Sequence, residues 1–176
     1  MLANDVKGVT SYHGVARFYF RYLLKQIIKV GELNKPNIAV LDFGCGKGEL
    51  KRLLNLGNVV GYDIIPRLSD VQDWRDVDFD VLVANEVFYS LEGHELERLL
   101  DELKRKNSNL KLVVGISRQG ILNNIGKILL GRSDAHSATK IGPKKELQIL
   151  QNYCDVRRRK NVFFLADILV FTFKSE

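Results

Sequence analysis

The N-terminal part of the chain carries one long amphipathic pattern and then one short apolar run. Apolar side chains recur every three or four positions over residues 11–30 and stop at Gly31. This spacing predicts an amphipathic helix that ends at the glycine. Residues 38–41 form a short apolar run that ends at Asp42 and a cluster of glycines, which is typical of a buried parallel strand.

Strand and helix patterns alternate over the central part of the chain. Helices are predicted at 47–56 and 92–106, and strands at 58–63, 79–84 and 110–116. Alternation of this kind predicts a parallel, doubly wound α/β sheet. The N-terminal helix precedes the first strand of this sheet.

One interval in this alternation is unusually short. Only 17 positions separate Asp63 from Asp80, which is too few for a full helix, a strand and their loops. We therefore predict an abbreviated crossover, with a short strand or extended segment at 69–72 and with Asp73 and Trp74 at its end.

The pattern changes in the C-terminal part. A helix is predicted near 120–130, a polar stretch at 131–142 and another helix at 143–152. Two closely spaced strands, 155–160 and 163–173, follow, and so short a connection favours an antiparallel pair. The prediction is therefore a mostly parallel sheet that ends in an antiparallel C-terminal hairpin.

Composition places the chain among ordinary globular proteins. The 176 residues are 45% hydrophobic and 27% charged, with 3 Pro and 2 Cys, which excludes a disordered chain, a collagen and a disulfide scaffold. We expect one domain over residues 1–176 with a single core. Cys45 and Cys154 need no bridge, and neither a leader nor a transmembrane segment is visible, so we expect a soluble protein of the reducing cytoplasm.

The net charge of +6 is concentrated in the C-terminal part. Residues 1–100 hold 12 Lys and Arg against 14 Asp and Glu, whereas residues 101–176 hold 15 against 7. Such an excess suits an anionic partner such as nucleic acid, a lipid headgroup or a phosphorylated metabolite, and equally suits a solvated basic face. The densest run, residues 157–160, alternates between the two sides of a predicted strand, which favours an edge strand over a nucleic-acid groove.

The most informative segment joins the first strand to the helix after it. Gly44, Gly46 and Gly48 alternate there with other residues, and Asp42 lies two positions before the first of them. Glycines at such a turn let the backbone approach a ligand closely. The third glycine comes one position earlier than in the dinucleotide fingerprint, and a carboxylate at Asp42 would repel a pyrophosphate. The segment instead suits a cofactor with an ammonium and a sulfonium group.

Together with Asp63 at the end of the next strand, this segment resembles the class I S-adenosylmethionine-dependent methyltransferases. The resemblance covers roughly residues 38–116. It implies a Rossmann-like fold, S-adenosylmethionine as cofactor and methyl transfer as the reaction. It also implies an N-terminal helical cover at 1–34 and an acceptor-side insertion at 117–145. No metal ligand is predicted.

The resemblance implies a cofactor contact for each matching position. The glycine loop would lie under the methionine part, with Cys45 as a small filler rather than a nucleophile, and Asp42 would orient the amino group. Asp63 would take both ribose hydroxyls, because a carboxylate has two acceptor oxygens. The predicted cofactor residues are Asp42, Gly44, Cys45, Gly46, Gly48, Asp63, Ile64, Asp73, Trp74, Asn85 and Glu86.

The remaining positions in that set divide between the two ends of the cofactor. Ile64 would lie along the adenine face, while Asp73 would accept a hydrogen bond from the exocyclic amine with Trp74 beside it. Asn85 and Glu86 would line the methionine end, where the segment after the strand opens toward the acceptor.

Candidate acceptor-side residues also come from the resemblance. In-line methyl transfer needs alignment and exclusion of water, and it needs a base for only some acceptors. His13 and His136 are the candidate bases, because the family builds its acceptor pocket from an N-terminal cover and the loop after the fifth strand. Tyr89 is a further candidate on this side, whereas His94 falls in a charged helix and is expected at the surface.

The acceptor class is narrowed by one departure from a known motif. Family members that methylate exocyclic nitrogens of adenine or glutamine typically carry Asn-Pro-Pro-Tyr where this chain has Asn-Glu-Val-Phe at 85–88. We therefore expect a small-molecule or lipid-precursor acceptor. Two alternatives stay open: an RNA or protein methyltransferase that uses the basic C-terminal face, and a non-catalytic methyltransferase-like partner subunit. A nicotinamide dehydrogenase is disfavoured by the glycine spacing.

Overall fold

A computed structural model describes residues 14–55, 58–118 and 139–175. Its centre is one six-stranded sheet with the strand order β2-β1-β3-β4-β6-β5. Strands β1 to β4 are parallel, and β6 and β5 are added antiparallel to β4 and to each other. The elements are α1 (Gly14–Gly31), β1 (Val40–Phe43), α2 (Glu49–Leu54), β2 (Val59–Tyr62), β3 (Val81–Asn85), α3 (Gly93–Lys106), β4 (Lys111–Ser117), α4 (Pro143–Tyr153), β5 (Cys154–Val162) and β6 (Ala166–Phe173).

The predicted fold class is confirmed: an N-terminal helix, a mostly parallel Rossmann-like sheet and an antiparallel C-terminal hairpin. The central strands are short apolar runs because helices cover both of their faces. The predicted helix near 120–130 lies outside the described residues. None of the helices in the described ranges has the length and apolar character needed to span a membrane.

The tip of the C-terminal hairpin differs from the prediction. Residues 163–165, which were expected inside the last strand, form a turn instead. The Leu165 N–H donates to the Val162 carbonyl at 2.9 Å and closes the turn. The two central residues of the turn, Phe163 and Phe164, have φ values of 51° and 59°. Two aromatic side chains masked this turn in the sequence, because turns with positive φ ordinarily use Asn and Gly.

The abbreviated crossover contains turns rather than a strand. Two short 3₁₀ turns, Pro66–Leu68 and Trp74–Asp76, carry the chain from β2 to β3. In the described part of the chain no strand forms at 69–72, so β2 is the outer strand of the sheet. Asp70 nevertheless reaches this edge: its N–H donates to the Gly61 carbonyl at 2.8 Å, and its carboxylate accepts from the Gly61 N–H at 2.7 Å.

The sheet separates two apolar layers. Alternate residues of a strand point to opposite faces, so Leu82 packs into the layer covered by α3 and α4, while Val83 packs into the layer covered by α1 and α2. Each fully buried leucine of these layers contributes about 1.5–3 kcal/mol to the folded state. The layered core holds the carboxyl ends of β1, β2 and β3 together at one edge of the sheet, where ligands bind in folds of this kind.

Candidate active site

The loop after β1 is shaped by glycines with positive φ. Gly44, Gly46 and Gly48 have φ values of 75°, 53° and 72°, which an L side chain adopts only at a cost. A Cβ on Gly44 would overlap the side chain of Val87, whereas a Cβ on Gly46 or Gly48 would meet nothing within 4 Å. The loop is therefore closely packed at its first glycine and open at the other two.

Asp42 is a buried carboxylate beside this loop. Its exposure is 6%, and burial, followed by repulsion from Asp63 and Asp70, raises its pKa to about 7. Among the described residues, no side-chain hydrogen bond or ion pair includes the Asp42 carboxylate. A buried charge without a partner is costly, so this position favours a ligand that brings a cation to it.

Asp63 directly follows β2 and faces the glycine loop. Its carboxylate accepts from the Gly46 N–H at 3.0 Å and from the Ile65 N–H at 3.0 Å. Each carboxylate oxygen accepts more than one hydrogen bond, so Asp63 retains acceptor capacity toward a ligand. Beside it, Ile64 exposes 87% of its surface, which is unusual for an isoleucine next to a strand and supplies an apolar wall.

Asn85 is the last residue of β3, and its side-chain amide lies in the cleft with the glycine loop and Asp63. Its side-chain Oδ1 is buried and accepts no hydrogen bond from the residues that the structure describes. The residue opposite it on β4 is Gly115, and a Cβ there would overlap this same oxygen. Gly115 therefore makes room for the Asn85 side chain, and the unpaired oxygen leaves an acceptor for a ligand.

Glu86 follows Asn85 in a strained conformation with φ of 56°. Its carboxylate accepts a hydrogen bond from the Ser117 hydroxyl. Burial raises the pKa of Glu86 despite this bond. Non-glycine residues with positive φ persist where the surrounding structure requires them, frequently at functional sites.

Two further polar groups lie near Glu86 and were missed from the sequence. Glu146 on α4 is 2% exposed, and burial together with Glu86 raises its pKa to about 8. The hydroxyl of Tyr19 is buried and has no hydrogen-bond partner among the described residues, and burial and Glu86 raise its pKa. Periodicity placed Tyr19 on the apolar face of α1, and Glu146 resembled an ordinary polar residue in the first turn of a helix.

A cleft of about 510 Å³ gathers most of the predicted site residues. This volume lies within the range of small-molecule sites, about 300–1,000 Å³. The inner face of α1 closes one side with Phe20 and Leu24. The predicted residues that line the cleft are Asp42, Gly44, Cys45, Gly46, Asp63, Ile64, Asn85, Glu86 and Tyr89.

Three predicted residues lie elsewhere. Gly48 lines an adjoining hollow with Asp70 and Lys51. The Asp73 carboxylate binds the guanidinium and N–H of Arg75, and Trp74 is 3% exposed in the core. The structure therefore does not bring the predicted adenine-edge pair to the cleft.

Of the three histidines, one lies in the described ranges and two lie outside them. His13 and His136 lie outside the described residues, so their prediction stays untested, whereas His94 is exposed at the start of α3.

The thiol of Cys45 is packed against the backbone, with its Sγ 3.3 Å from the Leu68 carbonyl oxygen. Burial, followed by the carboxylates Asp42, Asp63 and Asp70, raises the pKa of the Cys45 thiol to about 12. No group of three or more metal-ligating side chains is found across the described ranges.

The sequence matches the family described as "Methyltransferase domain" over residues 15–112, more than half of the chain. The chain belongs to this family. Its sheet and glycine loop are those of the class I S-adenosylmethionine-dependent methyltransferases. A comparison with curated protein sequences gives no match.

Solved structures of the same fold superpose over most of the chain. A protein from Pyrococcus horikoshii OT3 has a TM-score of 0.66 at 19% identity, covering 92% of this chain and 92% of that one. The N-methyltransferase NodS from Bradyrhizobium japonicum WM9 has a TM-score of 0.62 at 17% identity, with 89% and 97% covered. Magnesium protoporphyrin IX methyltransferase from Synechocystis PCC 6803, with bound S-adenosylhomocysteine, has a TM-score of 0.57 at 17% identity, with 97% and 90% covered.

S-adenosylmethionine is the cofactor of this family, and the cleft suits its chemistry. Within the described ranges, Asp42 supplies a buried carboxyl without a hydrogen-bonded or ion-pair partner, and Asn85 supplies a buried acceptor without one. Ile64 supplies exposed apolar surface. The open Gly46 leaves the loop backbone accessible. A ligand with a cationic amino acid end, hydroxyls and a flat apolar ring satisfies all of these groups.

Proposed function

We propose that the protein transfers a methyl group from S-adenosylmethionine to a small-molecule or lipid-precursor acceptor. The observation that carries the proposal is the buried Asp42 carboxylate, which lines the cleft beside the glycine loop and has no cationic partner in the part of the chain that the structure describes. A phosphate-bearing dinucleotide would bring a second anion to this position, whereas an amino acid cofactor brings a cation.

Each end of the cleft has a distinct binding role in this proposal. When bound, the cofactor supplies an electrophilic methyl group on a sulfonium. Asp42 binds the ammonium end, and Asp63 accepts from the ribose hydroxyls while holding the loop through Gly46. Ile64 covers the adenine ring. Because these contacts are made before any reaction, they align the methyl group and reduce the entropic part of the barrier.

The acceptor end combines an aromatic wall with a carboxyl group. Tyr89, Ser90 and Leu91 follow β3 and line the cleft beside Glu86. A carboxyl group whose pKa is raised by burial is suited to receive a proton from an acceptor hydroxyl or ammonium. Glu86 is therefore added to Tyr89 as an acceptor-side residue.

The basic run of β5 argues against an extended polyanion on this strand. Arg157, Arg158 and Arg159 are paired with carboxylates of Asp155, Glu32 and Asp167. A phosphate backbone would have to displace these partners. The strand is also the outer one of the sheet, as expected. These pairs disfavour RNA binding along β5, the strand from which the RNA alternative arose.

Calorimetric titration tests the proposal. We expect saturable binding of S-adenosylmethionine and S-adenosylhomocysteine and no heat from NAD. Transfer of a labelled methyl group to small hydroxyl and amine compounds, with a Glu86→Gln variant as comparison, then tests the acceptor class. Binding without transfer to any acceptor unless a second protein is added would favour the non-catalytic subunit. Transfer to RNA with strong salt dependence would favour the RNA alternative.

Replacing Gly115 by Ala tests the role of Asn85. The new methyl group would overlap the Asn85 Oδ1, so we expect the affinity for S-adenosylhomocysteine to fall about tenfold or more, together with a stability loss of about 1–3 kcal/mol from overpacking. The matched control is Gly93→Ala, whose Cβ would lie at an ordinary 3.4 Å from Lys145. If both variants bind equally well, Asn85 is not part of the binding site.

A further inference from the structure

Four aromatic side chains form an exposed patch on the outer side of the molecule. Phe18, Tyr22, Phe163 and Phe164 have exposures of 82%, 39%, 62% and 71%. The rings of Tyr22 and Phe163 lie 5.0 Å apart, so the patch joins α1 to the tip of the C-terminal hairpin. We call these four residues the aromatic patch. Solvent-exposed aromatic clusters of this kind mark interaction surfaces.

The outer face of α1 is basic as well as aromatic. Arg17, Arg21, Lys25 and Lys29 follow one another at intervals of four, and the helix contains no acidic residue. All four side chains are exposed. No ion pair or hydrogen bond in the described ranges involves any of these side chains. The face therefore presents positive charge next to the aromatic patch, which complements an anionic surface.

The hairpin turn does not itself require the two aromatic residues that it contributes to the aromatic patch. Phe163 and Phe164 both have positive φ, where Asn and Gly are the favourable residues. They also leave most of their surface in solvent, so they add little to the core. Phe163 contacts Tyr22, but most of the surface of both rings stays available for contacts outside the chain. Bulky residues kept at an unfavourable backbone conformation are frequent at functional sites.

The aromatic patch lies toward the edge of the sheet that carries the cleft. Ser117 at the end of β4 pairs with Ala166 at the start of β6, so the hairpin tip projects beyond the carboxyl ends of the parallel strands. The helix α1 contributes one face to the cleft and the opposite face to the aromatic patch. Phe20 and Leu24 line the cleft, whereas Phe18 and Tyr22 are exposed on the outside.

We propose that the aromatic patch and the basic face of α1 bind the surface of an anionic lipid membrane. Aromatic rings are favoured at the membrane–water interface, and each nearby Lys or Arg adds attraction to acidic headgroups. Membrane-surface binding strengthens with the apolar area inserted and with electrostatic attraction to anionic lipids, and this face offers both. The inference does not depend on the methyl acceptor, because vesicle binding is measured without cofactor or acceptor.

Vesicle flotation of the full chain tests the proposal. We expect binding to vesicles with about 30 mol% phosphatidylglycerol, weak binding to pure phosphatidylcholine, and release as salt approaches about 0.5 M. The double variant Phe163→Asn/Phe164→Gly removes two rings while providing the residues that this turn favours, so its melting temperature should not fall. We expect its partition coefficient to fall about tenfold or more.

The control is Val156→Ser on β5, which changes an apolar residue of 38% exposure outside the aromatic patch and should leave vesicle binding unchanged. Equal binding by the double variant and the intact chain would overturn the proposal, as would no binding to acidic vesicles at low salt. A concentration-dependent dimer in light scattering that the same double variant abolishes would assign the aromatic patch to a second copy of the chain instead.

Discussion

Replacing Asp63 by Ala is expected to weaken S-adenosylhomocysteine binding by about a hundredfold or more. The change removes the acceptor proposed for both ribose hydroxyls, and hydrogen bonds to a charged group contribute about 1.5–3 kcal/mol each. It also frees the Gly46 N–H, which donates to Asp63 at 3.0 Å, so the loop loses a restraint. Isothermal titration calorimetry of the two proteins measures the difference.

Asp73→Ala is the matched control for this experiment. The Asp73 carboxylate is partly exposed and binds Arg75 outside the cleft, so the same chemical change should alter affinity by less than about twofold. Asp63→Asn adds a variant that retains an acceptor oxygen for the loop amide. Comparable affinities for Asp63→Ala and the intact protein would remove Asp63 from the site. A large loss in Asp73→Ala would restore the adenine-edge prediction.

Replacing Asp42 by Asn is expected to weaken cofactor binding in a pH-dependent way. Because burial raises the pKa of Asp42 to about 7, only a small part of the carboxyl is ionised at pH 6 and most of it at pH 8. The ratio of intact-protein affinity to Asp42→Asn affinity should therefore grow about tenfold between these pH values. Taking the ratio cancels the titration of the ligand's own amino group. A ratio that stays constant across this range would show that Asp42 does not pair with the ligand.

The same variant should be more stable than the intact protein when no ligand is bound. A carboxyl whose pKa is raised on folding stabilises the fold at low pH and loses that contribution as pH rises through the folded value. For Asp42 the loss runs from about pH 4 to about pH 7. At pH 8 we expect Asp42→Asn to shift the urea midpoint upward, while below about pH 4 the two proteins should differ little. If Asp42→Asn raises the free energy of unfolding and lowers the affinity for the cofactor, Asp42 serves binding and destabilises the fold without ligand.

The succession of strands along the chain and their parallel pairing were predictable because the central strands are buried on both sides. Residues 38–41 form an uninterrupted apolar run, and Lys111 is the one charged residue within 110–116. Glycines and carboxylates follow the strands at the edge where a site forms. The strand ends placed Asp42 and Asp63 at this edge, where both line the cleft, while their proposed cofactor contacts come from the family resemblance. The hairpin was also predictable as a pair, since its two strands leave no room for a crossover.

The features that were missed depend on contacts distant in sequence. Asp73 lies ten positions after Asp63, yet the turn Trp74–Asp76 directs it toward Arg75 instead of the cleft. Glu146 acquires its raised pKa from burial and from Glu86, sixty positions earlier. Neither a turn direction nor a long-range electrostatic neighbour is encoded in local periodicity.

Both outer strands of the sheet are protected against pairing with another sheet. On β2, the backbone N–H and C=O of Gly61 are already taken by Asp70. On β5, the register is irregular between Val156 and Arg158, and charged side chains cover the strand. Unpaired edges invite association between molecules, and native proteins block them with charges, bulges and covering loops. The crossover between β2 and β3, which the structure describes in full, adds no strand to the sheet, so β2 is left at its edge. The same crossover carries Asp70, which occupies the backbone groups of Gly61 and so protects this edge against aggregation.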